Sequence, residues 1–87
     1  MKSFDESSFF YNEAINLIAL NNNEGAIHVI RNNMYILKNA DDIALAYLNC
    51  GFLNDKLGNN ISAIDDFSRS IGLEAELEVI PQRSKDI

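Results

Sequence analysis

The chain has 87 residues, with thirteen carboxylates against seven lysines and arginines and a formal net charge of −6. That balance offers no clustered cations to a phosphate backbone and so excludes nucleic acid as the expected partner. At 47% apolar and 23% charged it has the composition of a folded globular domain, and no apolar run approaches the ~20 residues of a membrane span.

Cys50 is the single cysteine, so an intramolecular disulfide is excluded and a reducing compartment fits. The segment from Met1 to Ser8 has no apolar core of the signal-peptide kind, which makes the cytoplasm the expected location.

In chain order, Ser3-x-x-Glu6 has the form of a capping box. Phe10, Ala14, Leu17 and Ile18 then recur at helical spacing and predict a first helix ending near Leu20. Asn21-Asn22-Asn23 breaks it, because asparagine tolerates left-handed turns and caps the helix that follows. From Glu24 the positions Ala26, Ile27, Ile30, Met34 and Leu37 predict a second helix fading near Lys38. Asp41 and Asp42 suit a helix N-terminus, both as capping oxygens and as negative charge. The third helix carries the stripe Ala44, Tyr47, Cys50, Gly51, Asn54 and Leu57, with Gly58 placed to end it.

A fourth helix follows on Ile61, Ala63, Ile64, Phe67 and Ile71, weakened by Gly72. In residues 74–87 the stretch Glu74-Ala-Glu-Leu-Glu78 is acidic and helix-prone, while Pro81 demands a break or a fresh start. They are expected either to cap the array or to begin a third unit.

The chain repeats itself. Leu20-Asn-Asn-Asn-Glu-Gly-Ala-Ile27 and Leu57-Gly-Asn-Asn-Ile-Ser-Ala-Ile64 are displaced by 37 residues, a period that belongs to stacked helical units. Hairpin one therefore spans about residues 5–38 and hairpin two about residues 41–73, forming one domain. In the second unit Tyr47, Cys50, Gly51 and Asn54 are followed by Ala63 and Phe67; the first unit has Phe10, Glu13, Ala14 and Leu17, then Ala26 and Ile30.

This pattern resembles the tetratricopeptide repeat. The small pairs Ala14 with Ala26 and Gly51 with Ala63 then mark where two helices cross closely, while Tyr47 and Phe67 would fill the space between hairpins. The displacement exceeds the family period of about 34, which puts some three extra residues near Asn39 to Asp42. The family proline is also missing. The resemblance implies an all-α fold of two antiparallel hairpins stacked as a right-handed superhelical array with a C-terminal capping or partial helix.

No catalytic constellation accompanies it, so an enzyme is not expected. His28 has no second histidine or cysteine at ligand spacing, which fails a metal site on count and leaves a surface or half-buried residue; no cofactor is expected either. Cys50 reads as a packed thiol. The neighbouring carboxylates Asp65 and Asp66 point to different faces and read as solvated, and Asp41 with Asp42 as a cap.

For binding, the resemblance implies an inner face built from the first helix of each hairpin. Tyr11, Asn12 and Ile15 would come from the first, and Leu48, Asn49, Phe52 and Lys56 from the second. Asn12 and Asn49 suit a peptide backbone, while Tyr11, Ile15, Leu48 and Phe52 offer apolar contacts. A protein or peptide partner is implied. The alternative is self-assembly, with the groove filled by a second copy, by the C-terminal segment or by further repeats of a longer protein.

Overall fold

In the computed structural model residues 9–86 are described, with side chains described through residue 73. All regular structure among them is helical: α1 (Phe9–Ala19), α2 (Asn23–Asn33), a 3-10 turn (Met34–Ile36), α3 (Ala40–Lys56) and α4 (Asn60–Asp86). The chain is all-α. Each helix packs chiefly on the next, α1 on α2, α2 on α3 and α3 on α4. The capping box at Ser3 and Glu6 lies outside the described residues.

The repeated sequence makes a repeated turn. After α1 the Asn22 N–H donates to the Leu17 carbonyl at 2.7 Å and the Asn21 N–H to that of Ile18 at 2.9 Å. After α3 the Asn59 N–H donates to the Asn54 carbonyl at 2.9 Å and the Gly58 N–H to that of Asp55 at 3.0 Å. Both are Schellman closures, which satisfy the orphan carbonyls of a helix end and require one left-handed residue. Asn21 (φ 64°) and Gly58 (φ 81°) supply it at the same place in the two units. The Asn22 side chain then caps α2 by accepting from the Gly25 N–H at 2.9 Å.

The second helix ends earlier than its apolar spacing predicts. Asn33 donates its side-chain amide to the Val29 carbonyl at 2.7 Å, the back-bonding by which a polar side chain competes with the helix ladder. A 3-10 turn then carries Leu37 into the core, where it is buried. The connection between α2 and α3 therefore runs from Met34 to Asn39.

Asn39, not either aspartate, is the N-cap residue of α3, and Asp41 and Asp42 sit inside its first turn. There they favour the positive end of the helix dipole. Residues 74–86 continue α4 as one helix, which runs through Pro81. The acidic stretch from Glu74 is made of good helix formers, and the cost of Gly72, about 1 kcal/mol, is too small to stop it.

The core gathers Phe10 and Ala14 of α1, Ala26, Ile27 and Ile30 of α2, Leu37, and Ala46, Cys50 and Leu53 of α3. Ala46 and Leu53 form with Cys50 a second stripe of α3, turned toward the first hairpin. On its other side α3 packs on α4 through Ala44, Gly51 and Asn54, against Ala63, Asp66 and Ser70. Ser70 donates its hydroxyl to the Ala44 carbonyl at 2.9 Å and closes the far end of the pair. Leu57, expected on the buried stripe, is instead 40% exposed because it lies in the turn.

The predicted close crossing occurs at Gly51, where an added Cβ would stand 2.6 Å from the Phe67 ring. Phe67 thus packs within the second hairpin, with Phe52 edge-on to it at 5.3 Å between centroids. Tyr47 has the same partner helix: the Arg69 guanidinium lies 5.9 Å over its ring.

Gly51→Val is expected to lower stability in urea by about 2 kcal/mol. Adding Phe67→Leu should recover part of that loss, and purely additive losses would contradict a clash with the ring.

Candidate functional site

Two polar or mixed features stand out once the helices are placed. The first is a groove between α1 and α3. Tyr11, Ile15 and Ile18 form one wall, Asn49, Phe52 and Lys56 the other, and Ala14, Ile30 and Leu53 the floor, around a cavity of ≈ 360 Å³. The amphipathic spacing that sends Phe10 and Ala14 into the core turns Ile15 outward, and on α3 burial of Cys50 and Leu53 does the same for Phe52. Ile15 and Phe52 are consequently 60% and 53% exposed.

Of the residues expected on the inner face, Tyr11, Ile15, Asn49, Phe52 and Lys56 are brought together here. Asn12 and Leu48 do not line the groove: Asn12 is exposed on the neighbouring edge of α1 and Leu48 is half-buried. The floor residues Ala14 and Ile30 serve both the core and the groove. Leu53 was not distinguishable as a lining residue from its own helix alone, since its place depends on how α3 meets α2.

Tyr11 carries an anomaly. Its ring stacks on Phe10 with centroids 4.4 Å apart, and its hydroxyl is buried with no hydrogen-bond partner among the described residues. Burial, then the nearby Asp42 carboxylate, pushes its pKa up to about 12. A buried hydroxyl without a partner costs about 1–3 kcal/mol.

The second feature is a buried carboxylate. Asp66 is 1% exposed, contrary to its reading as a solvated partner of Asp65. Its Oδ2 accepts from Arg31 Nη2 at 2.8 Å and from Asn54 Nδ2 at 2.9 Å. Asn59 in turn donates to Asn54 Oδ1 at 3.2 Å. The hydrogen bond to Asp66 raises the pKa of Arg31, holding the guanidinium charged.

The repeat register explains what this network replaces. The counterparts of Asn54 and Asp66 in the first hairpin are Leu17 and Val29, both packed against the core. An apolar pair in one unit is thus a polar pair in the other. The signal was the simultaneous departure of both positions from apolar character. Asp65, by contrast, is exposed and pairs with Arg69 at 3.1 Å along the helix.

Cys50 is fully buried, and burial pushes its thiol up to about 11. It is a packed side chain rather than a thiolate nucleophile. His28 is exposed on α2. Among the described residues no helix is long and apolar enough to cross a membrane.

No protein-family model, no curated protein and no solved structure matches this chain.

Asp66→Ala should cost about 3 kcal/mol, because Asn54 loses its acceptor and Arg31 its counter-ion. Asn54→Leu with Asp66→Val, which rebuilds the apolar pair of the first hairpin, is expected to fall within about 1 kcal/mol of the parent. Chemical denaturation of the single and double variants tests this, and additive losses would count against the register.

Stability also has a defined alkaline dependence. Folding raises the Cys50 thiol from 9.0 to about 11, so the unfolded chain loses that proton first and unfolding becomes easier as pH rises through this window. The full shift corresponds to roughly 2–3 kcal/mol. Denaturation at pH 9 to 11 should show the fall; Cys50→Ala should remove it between pH 9 and 10, leaving above pH 10 the contribution of Tyr11, whose hydroxyl folding raises from 10.0 to about 12.

Proposed function

We propose that this protein is a non-enzymatic interaction module, an adaptor or scaffold component of the cytoplasm, whose α1–α3 groove holds a peptide or helix of a protein partner. The observation that carries the reading is the groove itself. An apolar floor and two exposed apolar side chains, Ile15 and Phe52, are bordered by Asn49 and Lys56, and all but the floor residue Ile30 of α2 belong to the first helices of the two hairpins.

The tetratricopeptide-like architecture is part of the same proposal. It is supported by the Schellman turns repeated at one register and by the sequential packing of helices. The buried small residues Ala14, Ala26, Gly51 and Ala63 also support it. In such an array the first helices line a concave face, which suits an extended or helical segment engaging a groove by side-chain anchors and backbone hydrogen bonds. Apolar anchors would supply most of the affinity, and Asn49 would fix the orientation.

The orphan hydroxyl of Tyr11 provides a test that separates folding from binding. Tyr11→Phe removes a buried donor without a partner and should leave stability unchanged or raise it by about 1 kcal/mol. Peptides selected against the intact chain from a displayed random library should lose at least about tenfold in affinity with Phe52→Ala. Asn49→Ala should weaken them too, with the melting curve preserved in both. Selected peptides indifferent to Phe52 and Asn49 would sink the groove assignment.

A further inference from the structure

The repeat makes a prediction about a surface other than the groove. Ile27 on α2 and Met34 at the start of the 3-10 turn that follows lie in or against the core formed with α3, and Ile27 is only 8% exposed. Their counterparts one repeat later are Ile64 and Ile71 on α4, which are 64% and 63% exposed. Ile61, one turn before, is 85% exposed. The face that α3 covers in the first unit is thus bare in the second, although its apolar residues are kept.

Two kinds of second-copy contact can cover it. In a head-to-tail contact, α1 of the next copy would take the place that α3 takes on α2. The surface of α3 used there is Ala46, Cys50 and Leu53. The corresponding residues of α1 are Phe9, Glu13 and Asn16, and all three are exposed. A carboxylate and an amide in place of a thiol and a leucine make α1 a poor cover for isoleucines. Head-to-tail growth is disfavoured.

In an isologous contact, α4 meets α4 of the second copy antiparallel, and the pattern of α4 fits itself. With the two-fold axis near Ser68, Ile64 opposes Ile71 of the other copy and Ile71 opposes its Ile64. Asp65 and Arg69, both exposed on one flank of the stripe, then face Arg69 and Asp65 of the second copy. Two-fold symmetry pairs each flank with its own equivalent, so a flank carrying one acid and one base at mirrored distances is self-complementary. The small residue at the axis, and Gly72 one turn on with open space around it, let two helices approach closely.

We propose that the Ile61–Ile64–Ile71 face of α4 is a homodimer interface, in which two copies pair antiparallel through α4 about an axis near Ser68. The interface is separate from the α1–α3 groove and leaves it open. Dimerisation therefore presents two grooves on one assembly, so that a partner carrying two target segments would gain by effective concentration.

Sedimentation of the full chain over a wide concentration range should give a monomer–dimer equilibrium. Ile64→Asp or Ile71→Asp should weaken it by more than about tenfold; because both side chains are exposed, circular dichroism should report an unchanged fold. Asp65→Arg alone should weaken the dimer by placing like charges opposite one another, and Asp65→Arg with Arg69→Asp should restore it.

Ser68→Cys should form a disulfide between copies under mild oxidation, whereas Ser62→Cys, exposed off the stripe, should not; buried Cys50 does not compete. A chain that stays monomeric throughout would overturn the proposal. So would a dimer indifferent to Ile64→Asp and Ile71→Asp, or one broken instead by Phe52→Ala, which would place the contact in the groove. Peptide binding by the Ile64→Asp monomer would show that failure of the dimer and failure of the groove reading are distinct results.

Discussion

A single carboxylate oxygen ties three of the four helices together. Asp66 Oδ2 on α4 receives Arg31 from α2 and Asn54 from α3, and Asn54 receives Asn59 from the turn that connects α3 to α4. A buried carboxylate is tolerated only where its hydrogen bonds and counter-charge are supplied, so the three donor positions must be met together. This constrains how far α4 slides along α3 and how the second hairpin sits on the first. Gly51 and Phe67 fix the same crossing by shape, since no larger side chain fits at Gly51 without moving the ring.

The two halves solve one packing problem by different chemistry. In the first hairpin, apolar side chains at Leu17 and Val29 continue the core; in the second, the same positions carry the Asn54–Asp66 pair. A buried polar pair contributes less net stability than well-packed apolar groups, but it tolerates few alternative registers. Arg31 is the only one of its charged members that reaches solvent, being 38% exposed at the side chain while Asp66 is 1% exposed. The link between the hairpins thus has an apolar part, centred on Ile30, Cys50 and Leu53, and a polar part at its edge.

Burial of these groups leaves two apolar surfaces uncovered, on opposite sides of the functional question. One is the α1–α3 groove with Ile15 and Phe52, the other the α4 stripe of Ile61, Ile64 and Ile71. A small domain has too little interior to hide every apolar residue, and contiguous exposed patches are where it meets other molecules. The groove is concave and mixed in character, which suits the proposed peptide site; the stripe is an exposed helix face, which suits the proposed helix-to-helix contact.

Helix number, the hairpin order and the turns were legible in the residues themselves. Local interactions decide them: apolar spacing sets the buried face, and left-handed Asn21 and Gly58 close the Schellman turns within a few residues of each helix end. Five of the seven expected inner-face residues met in one groove for the same reason, since they share one face of each helix. Tertiary contact decided the rest. Asp66 is a buried network member and Asp65 a surface one only because α4 turns that edge toward Arg31 and Asn54, partners 35 and 12 residues away. Ala46 and Leu53 became core, and Ile64 and Ile71 remained exposed, according to which helix lies alongside. Periodicity identifies a face, but whether that face is covered depends on a neighbour distant in the chain.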